Sequence, residues 1–297
     1  MERLVVLLSL MLMLSACAST STAKKDAAAE PAAEEAPAEE APAEEDAAPQ
    51  RTGAIQFADI PFAAFDPEKP EGIHVYPIAG NPKETAFSAM VRFPSGYRAP
   101  LHTHEASFSA VTMSEGLVHS SSPDASEPLP KGSTWYQPGG EAHVDACVSE
   151  EPCYLLVFFD AAVDITPADA AAAEPTAQIN PADQIAWADV KGGVKMHVIH
   201  GNPQEGAFQA LVHFPAGMTT NIHTHSSAFV GSILSGTHHR GPNADELQTL
   251  TPGAVWSEAA EAPHMEKCGD ESDCIFAVNM DGALDTTAVE LTPAAAE

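Results

Sequence analysis

Residues 4–14 are apolar except for Ser9, and the hydrophobic pattern then lapses until about residue 55. The apolar run is shorter than the roughly 20 residues a membrane-spanning helix needs and has the length of a signal-peptide core. Further along, the pattern takes a period of two. Phe87, Ala89, Val91 and Phe93 alternate with Ser88, Met90 and Arg92, and Pro94 and Gly96 end the run. Phe208, Ala210, Val212 and Phe214 repeat the arrangement. Such alternation predicts half-buried β-strands. Residues 155–159 and 274–278 are short apolar runs suited to core strands. No segment after the first apolar run carries a capped helical stripe. Many short strands between Gly/Pro turns predict an all-β sandwich or barrel.

The alternating segments belong to an internal repeat. GNPKETAFSAMVRFPSGYRAPLHTH at 80–104 matches GNPQEGAFQALVHFPAGMTTNIHTH at 201–225 in 14 of 25 positions, at an offset of 121. The same offset links Gly132 to Gly253, Trp135 to Trp256, His143 to His264, Cys147 to Cys268 and Cys153 to Cys274. It slips by one at Gly116 and Gly236, so one loop differs in length. The repeat sets two units of ordinary domain size, 55–165 and 179–297. The Ala/Pro-rich stretch 166–178 is the expected linker.

The N-terminus reads as an address. Leu14-Ser15-Ala16-Cys17 resembles a bacterial lipobox. That implies a signal peptide at 1–16 and a lipidated Cys17 whose several acyl chains hold the protein on a bilayer. Ala18, rather than Asp, then favours the outer membrane of a bacterial cell envelope. Residues 17–54 read as a disordered tether. Pro31, Pro37 and Pro42 interrupt any helix in PAAEEAPAEEAPAEE, and its clustered Glu repel.

The chemistry lies in the histidines. His102-Thr103-His104 and His223-Thr224-His225 each place two imidazoles on one strand face. A third, His143 or His264, follows 39 residues after the second of each pair. Each pair follows a glycine (Gly96, Gly217) at a spacing of six and precedes another (Gly116, Gly236). With Gly132 and Pro138 these residues resemble the two motifs of the cupin superfamily, Gly-x5-His-x-His-x3–4-Glu-x6-Gly and Gly-x5-Pro-x-Gly-x2-His. The resemblance covers both repeats and implies a bicupin with two jelly-roll barrels, each with a three-His metal site. It departs from the pattern where the motif glutamate is replaced, at Ser109 in the first copy and Phe229 in the second. The second copy also carries Ala259-Ala260-Glu261 in place of Pro-x-Gly. Those changes fit a cupin branch of uncharacterised function, and argue against the three-His, one-Glu manganese sites of oxalate decarboxylases and germins.

Three neutral imidazoles leave a divalent cation its full charge and open positions for water, an anion or a substrate. Zn, Fe, Mn, Ni and Cu all remain candidates, because imidazole alone does not select among them. Ser109, Phe229, His213, His238, Trp135 and Trp256 are candidate pocket residues, although the tryptophans read more readily as barrel core. His119 and His239 match as residues three after the glycine. Glu105, next to His104, points away by alternation.

The five cysteines fall into Cys17 and two equally spaced pairs, Cys147/Cys153 and Cys268/Cys274. Export to an oxidising compartment favours two disulfides; Cys147 as a thiolate ligand beside His143 is the alternative. The formal net charge of −29, from 13 Lys+Arg and 42 Asp+Glu, excludes a nucleic-acid binder and a polybasic membrane-surface protein. Contact with membrane is therefore expected through the lipid anchor only. Two functions stand: a metal-binding envelope protein that takes a small-molecule ligand, and a metal-dependent oxygenase- or isomerase-like enzyme acting on a small carbonyl, enolate or phenolic substrate. The resemblance also allows a homodimer.

Overall fold

The structure is a computed structural model and describes residues 53–289. The expected signal peptide, Cys17 and nearly all of the tether lie outside the described residues. Among the described residues there is no α-helix, only strands and two single-turn 3-10 segments, Phe57–Asp59 and Ala182–Gln184. Two seven-stranded antiparallel sheets, each with a smaller facing sheet, form the two jelly-roll barrels that the repeat predicts.

The first large sheet runs Gln178–Asn180, Thr134–Gln137, Phe108–Thr112, Cys153–Phe159, Phe87–Phe93, His74–Gly80 and Ala63–Ala64. The second repeats that order with Gly53–Ile55, Val255–Glu258, Phe229–Ser235, Cys274–Met280, Phe208–Phe214, Lys195–Gly201 and Ala188–Asp189. Across the first barrel, Leu117–Ser120 pairs with Val144–Cys147. Across the second, His238–Gly241 pairs with Met265–Cys268.

The period-two strands fill the barrels as the pattern requires. Phe87, Ala89, Val91 and Phe93 pack with Phe108, Leu117, Trp135, Leu155 and Val157 inside the first. Their outward neighbours are buried too, which the alternation did not predict. Met90, Val111, Leu156 and Phe158 pack against Ile199, Leu211, Val230, Val255 and Ala277 of the second barrel. The large sheets thus lie back to back, and Phe87–Phe93 is buried on both faces instead of one. Removing that second apolar face from water supplies the drive for the barrels to associate.

The arms are exchanged. Gly53–Ile55, which begins inside the expected tether, pairs with Val255, Trp256 and Ser257 of the second barrel. Gln178–Asn180, at the end of the expected linker, pairs with Thr134, Trp135 and Tyr136 of the first. Each arm covers a sheet edge that would otherwise present unpaired backbone groups. At the other end of that linker, Thr166–Pro167 pairs with His102–Thr103.

Strand register removes the one-residue slip. Phe108 sits opposite Phe159 and Phe229 opposite Met280, both at the 121 offset. Leu117 faces Cys147 and His238 faces Cys268, again at 121. The two turns are therefore equal in length, contrary to the expected loop difference; the glycine alone stands one position earlier in the second copy, so Gly116 and Gly236 are not equivalent. Hence Phe229 corresponds to Phe108, not Ser109, and His119 corresponds to Arg240, not His239.

Candidate metal centres

In each barrel the three histidines converge. The ring atoms of His102, His104 and His143 that could ligate an ion lie within 4.8 Å of one another, as do those of His223, His225 and His264. The backbone sets this up. His102 and His143 exchange two main-chain hydrogen bonds of 3.0 and 2.9 Å, and His223 and His264 exchange two of 2.9 Å. Directly opposed residues in a ladder point to the same side, so the third imidazole faces the first. His104 and His225 join them by period-two alternation.

All six rings are oriented alike. Nδ1 of His102 donates to the Pro100 carbonyl at 2.8 Å, and Nδ1 of His143 donates to Glu141 at 3.1 Å. His223 donates to Asn221 at 2.8 Å and His264 to Ala262 at 3.0 Å. His104 and His225 donate to the carbonyls of Asp164 and Asp285. The carboxylates of these two aspartates accept the main-chain N–H of Glu105 and Ser226, at 2.7 and 3.0 Å. A bond at Nδ1 fixes the tautomer and leaves Nε2 with its lone pair. Nε2 of His143 and of His264 is buried and has no hydrogen-bond partner.

Burial also keeps four of these rings neutral. It is the largest influence on His143 and His264 and lowers each to about 4, against the opposing pull of Asp145 and Glu266. Burial likewise lowers His104 and His225. At neutral pH these are unprotonated imidazoles, the form a metal requires. Three converging imidazoles, one of them with a buried, unpartnered Nε2, fit a divalent cation, which would supply Lewis acidity.

The flanking residues depart from expectation in part. Phe229 lies edge-on to His225, with ring centroids 5.3 Å apart, and lines the cavity of the second barrel. Its counterpart Phe108 lies edge-on to His104 at 5.6 Å. The glutamate slot is therefore phenylalanine in both barrels. Ser109 turns the other way, to within 3.3 Å of Gln209 between the barrels, because alternation puts it on the outer face. His213 is also on an outer face, with Nε2 2.9 Å from Asp273. Trp135 and Trp256 are core residues and line neither central cavity. His238 is fully buried, parallel to Trp256 and 3.5 Å from Glu266. The cysteines form disulfides Cys147–Cys153 and Cys268–Cys274, so Cys147 is no thiolate ligand.

Two carboxylates outside both histidine motifs also reach the centres. Asp145 and Glu266 follow the third histidines by two positions and face the same way. Asp145 Oδ2 lies 3.6 Å from His143 Nε2 and 3.8 Å from His102 Nε2, while its Oδ1 accepts from His119 Nδ1 at 2.8 Å. Burial would raise the Asp145 carboxyl, but His119, His143 and His102 outweigh it and hold it below its ordinary value. In the second barrel Arg240 replaces His119. It pairs with Glu258 at 2.9 Å and Glu266 at 3.4 Å, and its guanidinium lies 4.9 Å over Trp256. The cavities differ as well, about 140 Å³ beside His102 and His104 and about 510 Å³ beside His223 and His225. Both are lined mainly by apolar side chains.

Residues 79–287 match the profile of the family described as Domain of unknown function (DUF4437). The chain belongs to the DUF4437 family. No curated protein matches this member's sequence. Solved structures do resemble it. A provisionally named dioxygenase from Nostoc punctiforme aligns over 82% of this chain and 88% of its own, with a TM-score of 0.66 and 11% identity. Oxalate decarboxylase from Bacillus subtilis aligns over 80% of this chain and 78% of its own, with a TM-score of 0.51 and 14% identity. The Lactobacillus farciminis oxalate decarboxylase formate complex gives 80%, 88%, 0.52 and 14% in the same order. These likenesses show that the DUF4437 chain has a bicupin fold. At such identities they carry the fold and not the reaction.

Proposed function

We propose that this DUF4437 protein is a divalent-metal-binding bicupin lipoprotein of the bacterial cell envelope, whose three-His sites take a small-molecule ligand. One observation carries the reading. Six imidazoles each donate Nδ1–H to a main-chain carbonyl, so that in each barrel three Nε2 atoms face one point. A histidine kept only for packing has no need of an unpartnered, buried Nε2. The lipobox at Cys17, the acidic tether and the net charge of −29 support an envelope protein held off an anionic surface by its anchor.

Elemental analysis of the purified chain after metal loading tests the sites. The parent should hold about two equivalents of one transition metal, and His102→Ala and His223→Ala about one each. Less than about half an equivalent in the parent refutes the assignment. Palmitate labelling that persists in Cys17→Ala refutes the anchor.

The apolar cavity beside His223 and His225 favours a second reading, a metal-dependent enzyme on a small carbonyl, enolate or phenolic compound. Turnover by the iron- or copper-loaded protein selects it, and ligand binding without turnover selects the first.

A further inference from the structure

We propose that the two metal centres are unlike: Asp145 completes a three-His, one-carboxylate site in the first barrel, whereas Arg240 holds the equivalent Glu266 away and leaves an open three-His site in the second. This rests on the metal-site reading above. Ligand atoms around a tetrahedral ion at 2.0–2.1 Å stand roughly 3.3 Å apart. Asp145 Oδ2, at 3.6 and 3.8 Å from two of the Nε2 atoms, needs only a small contraction to reach that spacing. The carboxylate is already aimed. His119 holds Oδ1 at 2.8 Å, and the His119 ring is itself fixed by Gln137 at 3.0 Å and by Trp135, stacked at 4.5 Å. A phenylalanine occupies the glutamate slot of the first histidine motif, so a fourth protein ligand has to come from another strand. Asp145, two positions after His143, is on the same face.

In the second barrel that chain of support is rebuilt around a cation. Arg240 takes the place of His119 and Glu258 the place of Gln137. Glu266 Oε1 is 3.4 Å from Arg240 and 3.5 Å from His238. One oxygen is thus shared by two groups on the strand opposite, and no ion pair joins Glu266 to His223 or His264 among the described residues. The larger cavity is lined by His223, His225 and Glu266.

Zn²⁺ titration calorimetry on the full chain in single-site backgrounds tests the proposal. With His264→Ala only the first site remains, and adding Asp145→Asn should weaken Zn²⁺ at least about tenfold. With His143→Ala only the second remains, and adding Glu266→Gln should change the Kd by less than about threefold. An Asp145→Asn effect below about threefold, or a tenfold effect of Glu266→Gln, overturns the proposal. A measurement free of the Asp145 variant guards against misfolding. Azide added to the Co²⁺-loaded chain should shift the visible spectrum in the His143→Ala background and leave it unchanged in the His264→Ala background. Equal shifts overturn the inference. Absence of metal in both backgrounds overturns the metal-site reading and the inference with it, an outcome distinct from metal bound without Asp145.

Discussion

Metal-free protein should lose stability between pH 7.5 and 5, and the loss should trace to His143 and His264. Burial lowers each ring to about 4 in the folded chain, against about 6.5 when unfolded. Between those values the unfolded chain binds more protons than the folded one, so stability falls as pH falls. The full contribution is present above the unfolded value, erodes through the window from 6.5 to 4, and is exhausted below it. At pH 5 the linkage relation gives about 2 kcal/mol for each ring, or about 4 for the pair. Asp145 and Glu266 are lowered instead from the ordinary carboxylate range, so their loss begins only near about pH 5 and lies almost wholly below the two pH values compared. Urea denaturation in EDTA at pH 7.5 and pH 5 reads the effect. His143→Gln/His264→Gln should remove about 4 kcal/mol of the difference, leaving the smaller share of His104 and His225. A parent whose stability is equal at the two pH values, or a double variant that keeps the whole loss, refutes the reasoning.

Two further outcomes follow from the turns and the disulfides. Glu261 has φ 60°, where its counterpart Gly140 has 76°, and both donate to the second histidine's carbonyl, at 2.8 and 2.7 Å. A side chain is strained there, so Glu261→Gly should raise stability by about 1 kcal/mol in thermal denaturation; a fall in Tm counts against it. The four barrel cysteines should resist alkylation unless reduced, and Cys147→Ala/Cys153→Ala should cost about 2 kcal/mol by loop-closure entropy; labelling without reductant would refute the pairing.

The histidine constellation was legible because its geometry is local. In a strand, a spacing of two puts His102 with His104 and His223 with His225, and a repeat at constant offset identified the third member of each set. The same spacing argument pairs His143 with Asp145 and His264 with Glu266, and it was available in the sequence. The carboxylates passed unnoticed because the motif directs attention to a glutamate elsewhere. Ser109 was misplaced for a different reason. Counting from Gly116 and Gly236 shifts the alignment by one, whereas the strands on both sides of these turns keep the 121 offset and only the glycine's place in the turn differs. His213 looked like a pocket residue because alternation says that two faces differ, not which of them is inside.

The sequence by itself determined the β class, the duplication, the six imidazoles and the cysteine pairs, since each is a matter of period or spacing along one chain. Tertiary structure decided what depends on contacts between distant segments. The exchange of the arms Gly53–Ile55 and Gln178–Asn180, and the burial of Met90 and Leu156 between back-to-back sheets, join residues far apart in sequence. So does the substitution of Arg240 for His119 beside the second centre. Charge and hydrogen bonding act across space, and strand pairing alone sets which side chain meets which carboxylate.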